Sequence, residues 1–579
     1  MEKKRSLSRF LKAEYVIPAF HFLASFAYEW LILWFQPRQD IVTAVAENDS
    51  YSDTFERVMA YGLSKLFAAL FIWGIWKLVF KILREFKTNK TIRFFTILFL
   101  AGALLRCVLW PNGFIHSYDN YVTYSYAIHL YPEYWHSAYT SVIYSACMMV
   151  LPHPIAISLL QVLLFVFDLG YLFTRMDANP HIRKAAKWFV FVIIFVPGTY
   201  YMVMDAYRTE IYALACMLYL TKVIFDIWED RTYSTFWLAV MALFSAFLAV
   251  WRTEGILLGG MGFFAILIFE KKVKLRKVIA WLVIFGFAFL LISFPQKVGN
   301  KKYYGSDYSI INSFFVLRNV FNRADANLSY EGAKEDVEAI EAIVPIEAIK
   351  AYGLDGYRRY NYMNGHVTDM NQSVASMEAG KAYVKAFYSI ALHNPKIYLR
   401  TQIGLLRVVL CMTDQPYIES SNEALSQEYP NWEFRAWQVG EQELFTAPLV
   451  LKWYEWRLRK GFATRFENLG NRLAQLRKKT YVSFVILFSI PLLCGCIFLQ
   501  GVIKFFKKAK GQKTLKDLLF AYMSAMLLGQ YAIITMVMPE RVLSYFCAVY
   551  ACSFILLLVY FGQCRKVNRK EKGAQLEEA

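Results

Sequence analysis

The stretch P-N-G-F-I-H-S-Y-D-N-Y-V-T-Y-S-Y-A-I-H-L-Y-P-E-Y-W-H-S-A-Y-T-S-V-I-Y-S-A-C-M-M-V-L-P-H-P, Pro111 to Pro154, decides how the whole chain is threaded. It lies among long apolar segments, yet it has no Lys or Arg, two acids (Asp119 and Glu133), four histidines and a dense run of Tyr. Its apolar part, Tyr139 to Leu151, is 13 residues long. At ~1.5 Å per residue such a helix falls short of the ~30 Å of hydrocarbon in a bilayer. Read as a crossing, it would reverse every later segment. Read as a helix lying along the outer surface, it leaves Pro111 to Pro154 wholly on one side.

Outward from that stretch, apolar runs of about 20 residues, enough to span, recur from end to end. Membrane helices are expected near Tyr15 to Phe35, Val58 to Val79, Phe94 to Trp110, Ile155 to Phe173, Trp188 to Met204, Tyr207 to Phe225, Phe236 to Val250, Gly255 to Phe269, Val278 to Phe294, Tyr481 to Ile503, Leu518 to Met538 and Val542 to Phe561. The first of these follows a basic start and is too long for a signal-peptide core, so it is expected to stay as an anchor. Of the 579 residues 57% are hydrophobic and 19% charged, against roughly 25% charged in a soluble domain. The expected fold is an all-α polytopic membrane protein of about 12 transmembrane helices. Outer-face juxtamembrane helices and one large, mainly helical outer region complete it.

Charge sets the orientation, because Lys and Arg collect in cytoplasmic loops. The segments assigned inside hold 31 Lys plus Arg, and the short segments assigned outside hold five: Arg38, Arg57, Arg208, Arg252 and Arg541. Both termini are therefore expected in the cytoplasm, and the expected location is the plasma membrane. The chain divides into a membrane domain at 1–294, an extracytoplasmic region at 295–480 with helical patches at Glu335 to Ile349 and Gly380 to Leu392, C-terminal membrane helices at 481–563 and a basic tail at 564–579. The basic end of 295–480 alone would argue for the cytoplasm, but long loops escape the charge rule. The net charge of +19 follows this loop pattern, and no basic-aromatic motif points to nucleic acid. Nine cysteines without a C-x-x-C indicate neither zinc nor a disulfide framework.

The chemistry is expected at the outer helix ends. Asp119, among Tyr and His rather than basic partners, is suited to act as a general base on an acceptor hydroxyl or amine; the plainer alternative is a solvated acid capping a helix. Glu133 is the second acid of the stretch. His116, His129, His136 and His153 have spacings that match no metal-ligand pattern, which leaves interfacial hydrogen bonding. The turns D-A-Y-R-T-E (Asp205, Arg208, Glu210) and W-R-T-E-G (Arg252, Glu254) place charges at the bilayer boundary, as does M-P-E-R-V-L-S-Y (Glu540, Arg541). Such charges either pair to lock helix ends or serve a site. Arg fits the second role, since its planar fork of donors matches phosphate.

The acid after an early helix, followed by W-H-S-A-Y-T-S-V-I-Y-S-A-C-M-M-V-L and a membrane helix, resembles the first outer loop of polyprenyl-phosphate-sugar-dependent glycosyltransferases of the GT-C superfamily. The three charged turns are similar to that family's other outer-loop clusters. The resemblance covers Phe94 to Phe294 and Met538 to Tyr545. It implies that Asp119 is the catalytic acid/base group, and that Arg208, Arg252 and Arg541 hold the donor phosphate. Asp205, Glu210, Glu254, His116, His136, Glu133 and Glu540 would support them. Asn120 stands where relatives carry a second acid, and Ser137 and Ala138 replace prolines. No cofactor is implied; a divalent metal has no support in the sequence. The partners implied are a polyprenyl-phosphate-linked sugar donor, membrane lipid and a carbohydrate or lipid acceptor.

Overall fold

The computed structural model describes residues 2–32, 54–109, 123–177 (except 125 and 136), 208–228, 231–252 (except 232), 255–262 (except 261), 275–303, 307–352, 377–409, parts of 457–468, 480–508, 518–537 and 543–560. About 89% of it is helix, and there is no strand among the described residues. Among the described residues, four helices are long and apolar enough to cross a membrane: Thr54–Glu85, Lys90–Val108, Ile155–Met176 and Leu275–Lys302. Their outward faces carry Leu66, Leu70 and Trp73, Ile97, Leu100 and Leu104, and Leu282, Phe287 and Leu290, all exposed. Apolar surface of that extent is disfavoured in water and matched by lipid. The expected spans at Trp188 to Met204 and across most of Gly255 to Phe269 lie outside the described residues.

The elements run α1 (Glu2–Ile32), α2 (Thr54–Glu85), α3 (Lys90–Leu109), α4 (Ala138–Val150), α5 (Ile155–Asp177), α6 (Arg208–Trp228), α7 (Thr235–Trp251) and α8 (Leu275–Tyr303). Past these come α9 (Asp307–Phe321), α10 (Ala333–Glu341), α11 (Ile346–Tyr352), α12 (Met377–His393), α13 (Pro395–Val409), α14 (Thr480–Lys507), α15 (Leu519–Val537), a 3-10 turn (Leu543–Phe546) and α16 (Cys547–Tyr560).

The short helix α4 is enclosed rather than laid on a surface. Every residue except Val150 is buried, in keeping with a sequence apolar or small on all sides. Its neighbours are α1, α2 and α5. Ser64 of α2 donates to the Val142 carbonyl at 3.2 Å, and His21 of α1 meets the Val150 carbonyl at 2.8 Å. The α1–α2 pair is itself held by Lys65 to Glu29 at 2.6 Å.

Helix α8 does not stop at Pro295, where the polar region was expected to begin, but continues to Tyr303. Proline inside a helix sacrifices a backbone hydrogen bond. Here Gln296 compensates by gripping the stretch before α4: its Oε1 accepts from the Ala138 N–H at 2.8 Å and its Nε2 donates to the Tyr134 carbonyl at 2.6 Å. Gly299 leaves room for the Tyr134 ring, which a Cβ at that position would overlap.

Helices α9 to α13 form a second core around Phe314, Leu317, Ile340, Val344, Tyr383 and Ile390. The expected patch Glu335 to Ile349 is broken into α10 and α11 at Pro345. Asn394 joins α12 to α13 and bonds both the N–H and the carbonyl of Asn327. Helix α13 touches α15, which ties this unit to the apolar helices.

Candidate functional site

The R-T-E of the first charged turn opens helix α6. Thr209 and Glu210 are buried, and the Thr209 hydroxyl donates to Glu210 Oε2 at 2.6 Å. A carboxylate in the first turn of a helix also suits the helix dipole. Glu210 Oε1 lies 3.9 Å from Cys547 Sγ, a weak donor, so the start of α6 meets the start of α16. One turn along, the buried Tyr212 ring stands edge-on to Trp251, with centroids 5.7 Å apart.

Trp251 is the last residue of α7. Its indole N–H donates to Thr140 Oγ1 of α4 at 3.1 Å. The chain then turns at Arg252, whose carbonyl accepts from the Gly255 N–H at 2.8 Å. Gly255 is required by space: a Cβ there would meet the Leu248 carbonyl oxygen at 2.5 Å and Tyr212 Oη at 2.7 Å. The Arg252 guanidinium sits between two rings, 5.0 Å from the Tyr545 centroid and 5.9 Å from that of Tyr212. Both distances lie within the range of cation–π attraction. Tyr545 belongs to the 3-10 turn before α16, and the adjacent Phe546 packs on Tyr531 of α15 at 5.1 Å.

Three motifs far apart in sequence therefore meet at one end of the bundle: the R-T-E start of α6, the W-R end of α7 and the S-Y before α16. Glu210 and Arg252 are brought into this cluster. Glu133 is buried nearby along the chain: its carboxylate accepts from Thr123 Oγ1 at 3.0 Å, and its backbone N–H donates to Ser141 Oγ of α4 at 3.1 Å. That arrangement braces the entry to α4. Arg208 begins α6 by its backbone. Asp119, His116, His136, Asp205, Glu254, Glu540 and Arg541 lie outside the described residues, as does the side chain of Arg208. No group of three or more His, Cys, Asp or Glu among the described residues is placed to hold a metal ion.

Sequence reasoning overlooked Thr140, Tyr212, Trp251, Tyr545 and Cys547. Trp251 and Tyr545 stand inside the quoted turns but were read past for their charged neighbours; an aromatic flanking an arginine at a helix end is the signal that could have found them.

Two turns further along α4 lies a half-open apolar groove of about 160 Å³. Phe71 and Ile75 of α2, Phe99 of α3, Cys147 and Val150 of α4 and Leu160 of α5 line it. Thr140 and Cys147 are two turns apart on α4, about 10 Å along its axis. One short helix thus borders both a cation flanked by aromatic rings and a slot that only hydrocarbon suits.

No family model, curated protein or solved structure matches this chain.

Proposed function

We propose that this protein is an integral membrane glycosyltransferase of GT-C type, with about 12 spans and both termini in the cytoplasm of the plasma membrane. It moves a sugar from a polyprenyl-phosphate donor to a carbohydrate, lipid or protein acceptor on the extracytoplasmic face. The observation that carries this reading is Arg252. It is held by rings from α6 and the turn before α16, at the end of the bundle where α4 leads to an apolar groove. A phosphate group and a long hydrocarbon chain need those two surroundings side by side.

In the proposed reaction the Asp119 carboxylate takes the proton of the acceptor hydroxyl. The acceptor oxygen bonds to the anomeric carbon from the face opposite the phosphate, and the carbon–oxygen bond to phosphate breaks with inversion. The phosphate leaves with the bonding pair, and Arg252, with Arg208 and Arg541, stabilises the growing charge. One such donor contributes about 2.7 to 4 kcal/mol, or 100- to 1000-fold in rate. Arg252→Gln in the membrane-embedded full chain should therefore slow transfer from a polyprenyl-phosphate sugar by ~100-fold or more. A loss below tenfold would remove Arg252 from the phosphate site.

One observation favours a second reading, a transporter or flippase for a lipid-linked saccharide. Ser158, Gln161, Asp168 and Arg175 share one buried face of α5, at spacings of three and seven residues. Among the described residues the carboxylate oxygens of Asp168 have no hydrogen-bond partner, and ionisable groups inside a membrane often mark a path. If Asp168→Asn abolished lipid-linked saccharide translocation into vesicles and Arg252→Gln left sugar transfer intact, this reading would replace the first. A non-catalytic polysaccharide-assembly subunit would be indicated by undiminished sugar transfer in membranes that carry the Asp119→Asn variant, the transferase then being another protein of the assembly.

A further inference from the structure

Within the apolar bundle, charge is met by charge. Asp226, near the end of α6, is buried; its Oδ1 pairs with Arg175 of α5, and its Oδ2 accepts from Lys222 and from the Tyr233 hydroxyl, each at 2.6 Å. Lys277 of α8 donates to the Tyr233 carbonyl at 2.9 Å, so this carboxylate organises the junction of α5, α6 and α8. The charge on α12 and α13 is of another kind. From Met377 to Val409 there are five cations, Lys381, Lys385, Lys396, Arg400 and Arg407, against one acid, Glu378, and all are exposed. Among the described residues Lys381, Lys385, Lys396 and Arg407 enter no ion pair. The Arg400 charge bears on Asp325, which Arg323 already holds through both oxygens at 2.7 and 2.8 Å. The acids of this unit gather elsewhere, with Glu335, Glu338 and Glu341 on α10 and Glu347 on α11.

Helix α13 carries apolar side chains on two faces. Ile397, Thr401 and Leu405 are buried: Ile397 joins the second core, and the Thr401 hydroxyl accepts from Asn319 of α9 at 2.9 Å. Leu399 and Ile403 stand two positions on from the first two, about 200° round the helix. With Leu406 they form an open stripe, Leu399 being 59% and Ile403 51% exposed. Lys396, Arg400 and Arg407 run along one edge of that stripe. On α12, Lys381, Lys385, Tyr388 and Leu392 share a face at spacings of four and three, and all four are exposed. An apolar stripe edged by Lys and Arg is the pattern of a helix lying in the plane of a bilayer interface. At about 22 Å and with three cations, α13 is too short and too charged to cross. It nevertheless touches α15, which is apolar along most of its length, so it sits against the apolar bundle rather than away from it.

We propose that the outer face of α13 is a docking surface for anionic membrane lipid, with Leu399, Ile403 and Leu406 set into the acyl boundary and Lys396, Arg400 and Arg407 on the lipid phosphates. Two observations select lipid as the occupant. The surface is continuous, through the contact of α13 with α15, with helices whose own outward faces are apolar. Its five cations against one acid match an anionic headgroup, while the acids of the unit stand on α10 and α11. Docking would hold the α9–α13 unit against the bilayer. It does not involve sugar transfer and stands or falls separately.

The test is photo-crosslinking of the full chain in nanodiscs of equimolar phosphatidylglycerol and phosphatidylcholine, with p-benzoylphenylalanine in place of Leu399, Ile403 or, as the control on α10, Glu338. Mass spectrometry of the irradiated chain reads which lipid is attached. Positions 399 and 403 should capture lipid, with phosphatidylglycerol in excess, and position 338 should capture none. Lys396→Gln should lower that excess about fivefold, as should Arg407→Gln, while Lys334→Gln should leave it unchanged. Absence of lipid from both 399 and 403 would overturn the proposal, as would equal capture at 338 or equal capture of the two lipids. An excess untouched by Lys396→Gln and Arg407→Gln would also overturn it. So would attachment to a second copy of the chain instead of lipid, which would make this face an interface between copies.

Discussion

Replacing Asp226 by Asn keeps the shape of the side chain and removes only its charge. The variant leaves Arg175 and Lys222 facing a neutral amide at a site where Asp226 is 2% and Arg175 9% exposed. Lys222 is 31% exposed and Arg231 58%, so water screens a growing share of their repulsion. Removing one partner of a buried ion pair typically costs about 3 to 5 kcal/mol, because the remaining charge is stranded. The Tyr233 hydroxyl can still donate to the Asn oxygen, which places the expected loss toward 3 kcal/mol. The contrast is Glu338→Gln: its pair with Lys334 spans 3.9 Å with side chains 66% and 87% exposed, and such pairs contribute about 0 to 1 kcal/mol. Equilibrium unfolding of the purified protein in mixed micelles, read by tryptophan fluorescence, measures both. A loss below about 1 kcal/mol for Asp226→Asn, or one equal to that of Glu338→Gln, would refute the claim that this carboxylate organises the α5–α6–α8 junction.

Three further outcomes follow from single contacts. Gly255→Ala should destabilise by roughly 1 to 3 kcal/mol, because its methyl meets a backbone oxygen that cannot swing away; it should also disturb Tyr212 and slow transfer, and unfolding unchanged from wild type would contradict the close approach. A double-mutant cycle of Trp251→Phe and Thr140→Val should show a coupling of about 1 kcal/mol for the 3.1 Å hydrogen bond; zero coupling would mean that the bond does not hold α7 to α4. His153, in the turn before α5, accepts the Ile155 N–H on Nδ1 at 3.0 Å, and burial pushes its imidazole down to about 4. The neutral ring is therefore favoured by the fold: its contribution is complete above the unfolded value of about 6.5 and lost as pH falls toward 4, by at most about 3 kcal/mol. Stability measured across that window should fall more steeply in the wild type than in His153→Gln, and parallel curves would count against it.

Much of the helical architecture was legible because apolar period and length are local properties. Ile155 to Phe173, Phe236 to Val250 and Leu518 to Met538 were all expected as helices, and α5, α7 and α15 occupy those places. What the sequence hid was decided by contacts between distant residues. Helix α8 passes Pro295 because Gln296 bonds to Tyr134 and Ala138, and nothing near Pro295 announces those partners. The hydropathy of α4 is the same whether lipid or protein surrounds it, so its enclosure by α1, α2 and α5 could not be read from its own residues. Asp226 was not singled out in the sequence; only its i, i+4 spacing from Lys222 hinted at a structural part. At the candidate site the sequence supplied the charged turns, while the rings that hold Arg252, Tyr212 of α6 and Tyr545 before α16, lie far apart in the chain.

The α6–α7 hairpin is fastened at both ends, by Glu210, Tyr212 and Trp251 on one side and by Asp226 and Tyr233 on the other. It behaves as a strut of set length. Its pinned span of about 24 Å is shorter than the ~30 Å core of an average bilayer, and neither end can slide without breaking its contacts. In the proposed arrangement, with α6 and α7 both crossing the membrane, the surrounding lipid must then thin to meet the hairpin, at a modest cost for each ångström of mismatch. Membrane thickness becomes a variable to which this protein is tuned, and short-chain lipids should suit it better than long.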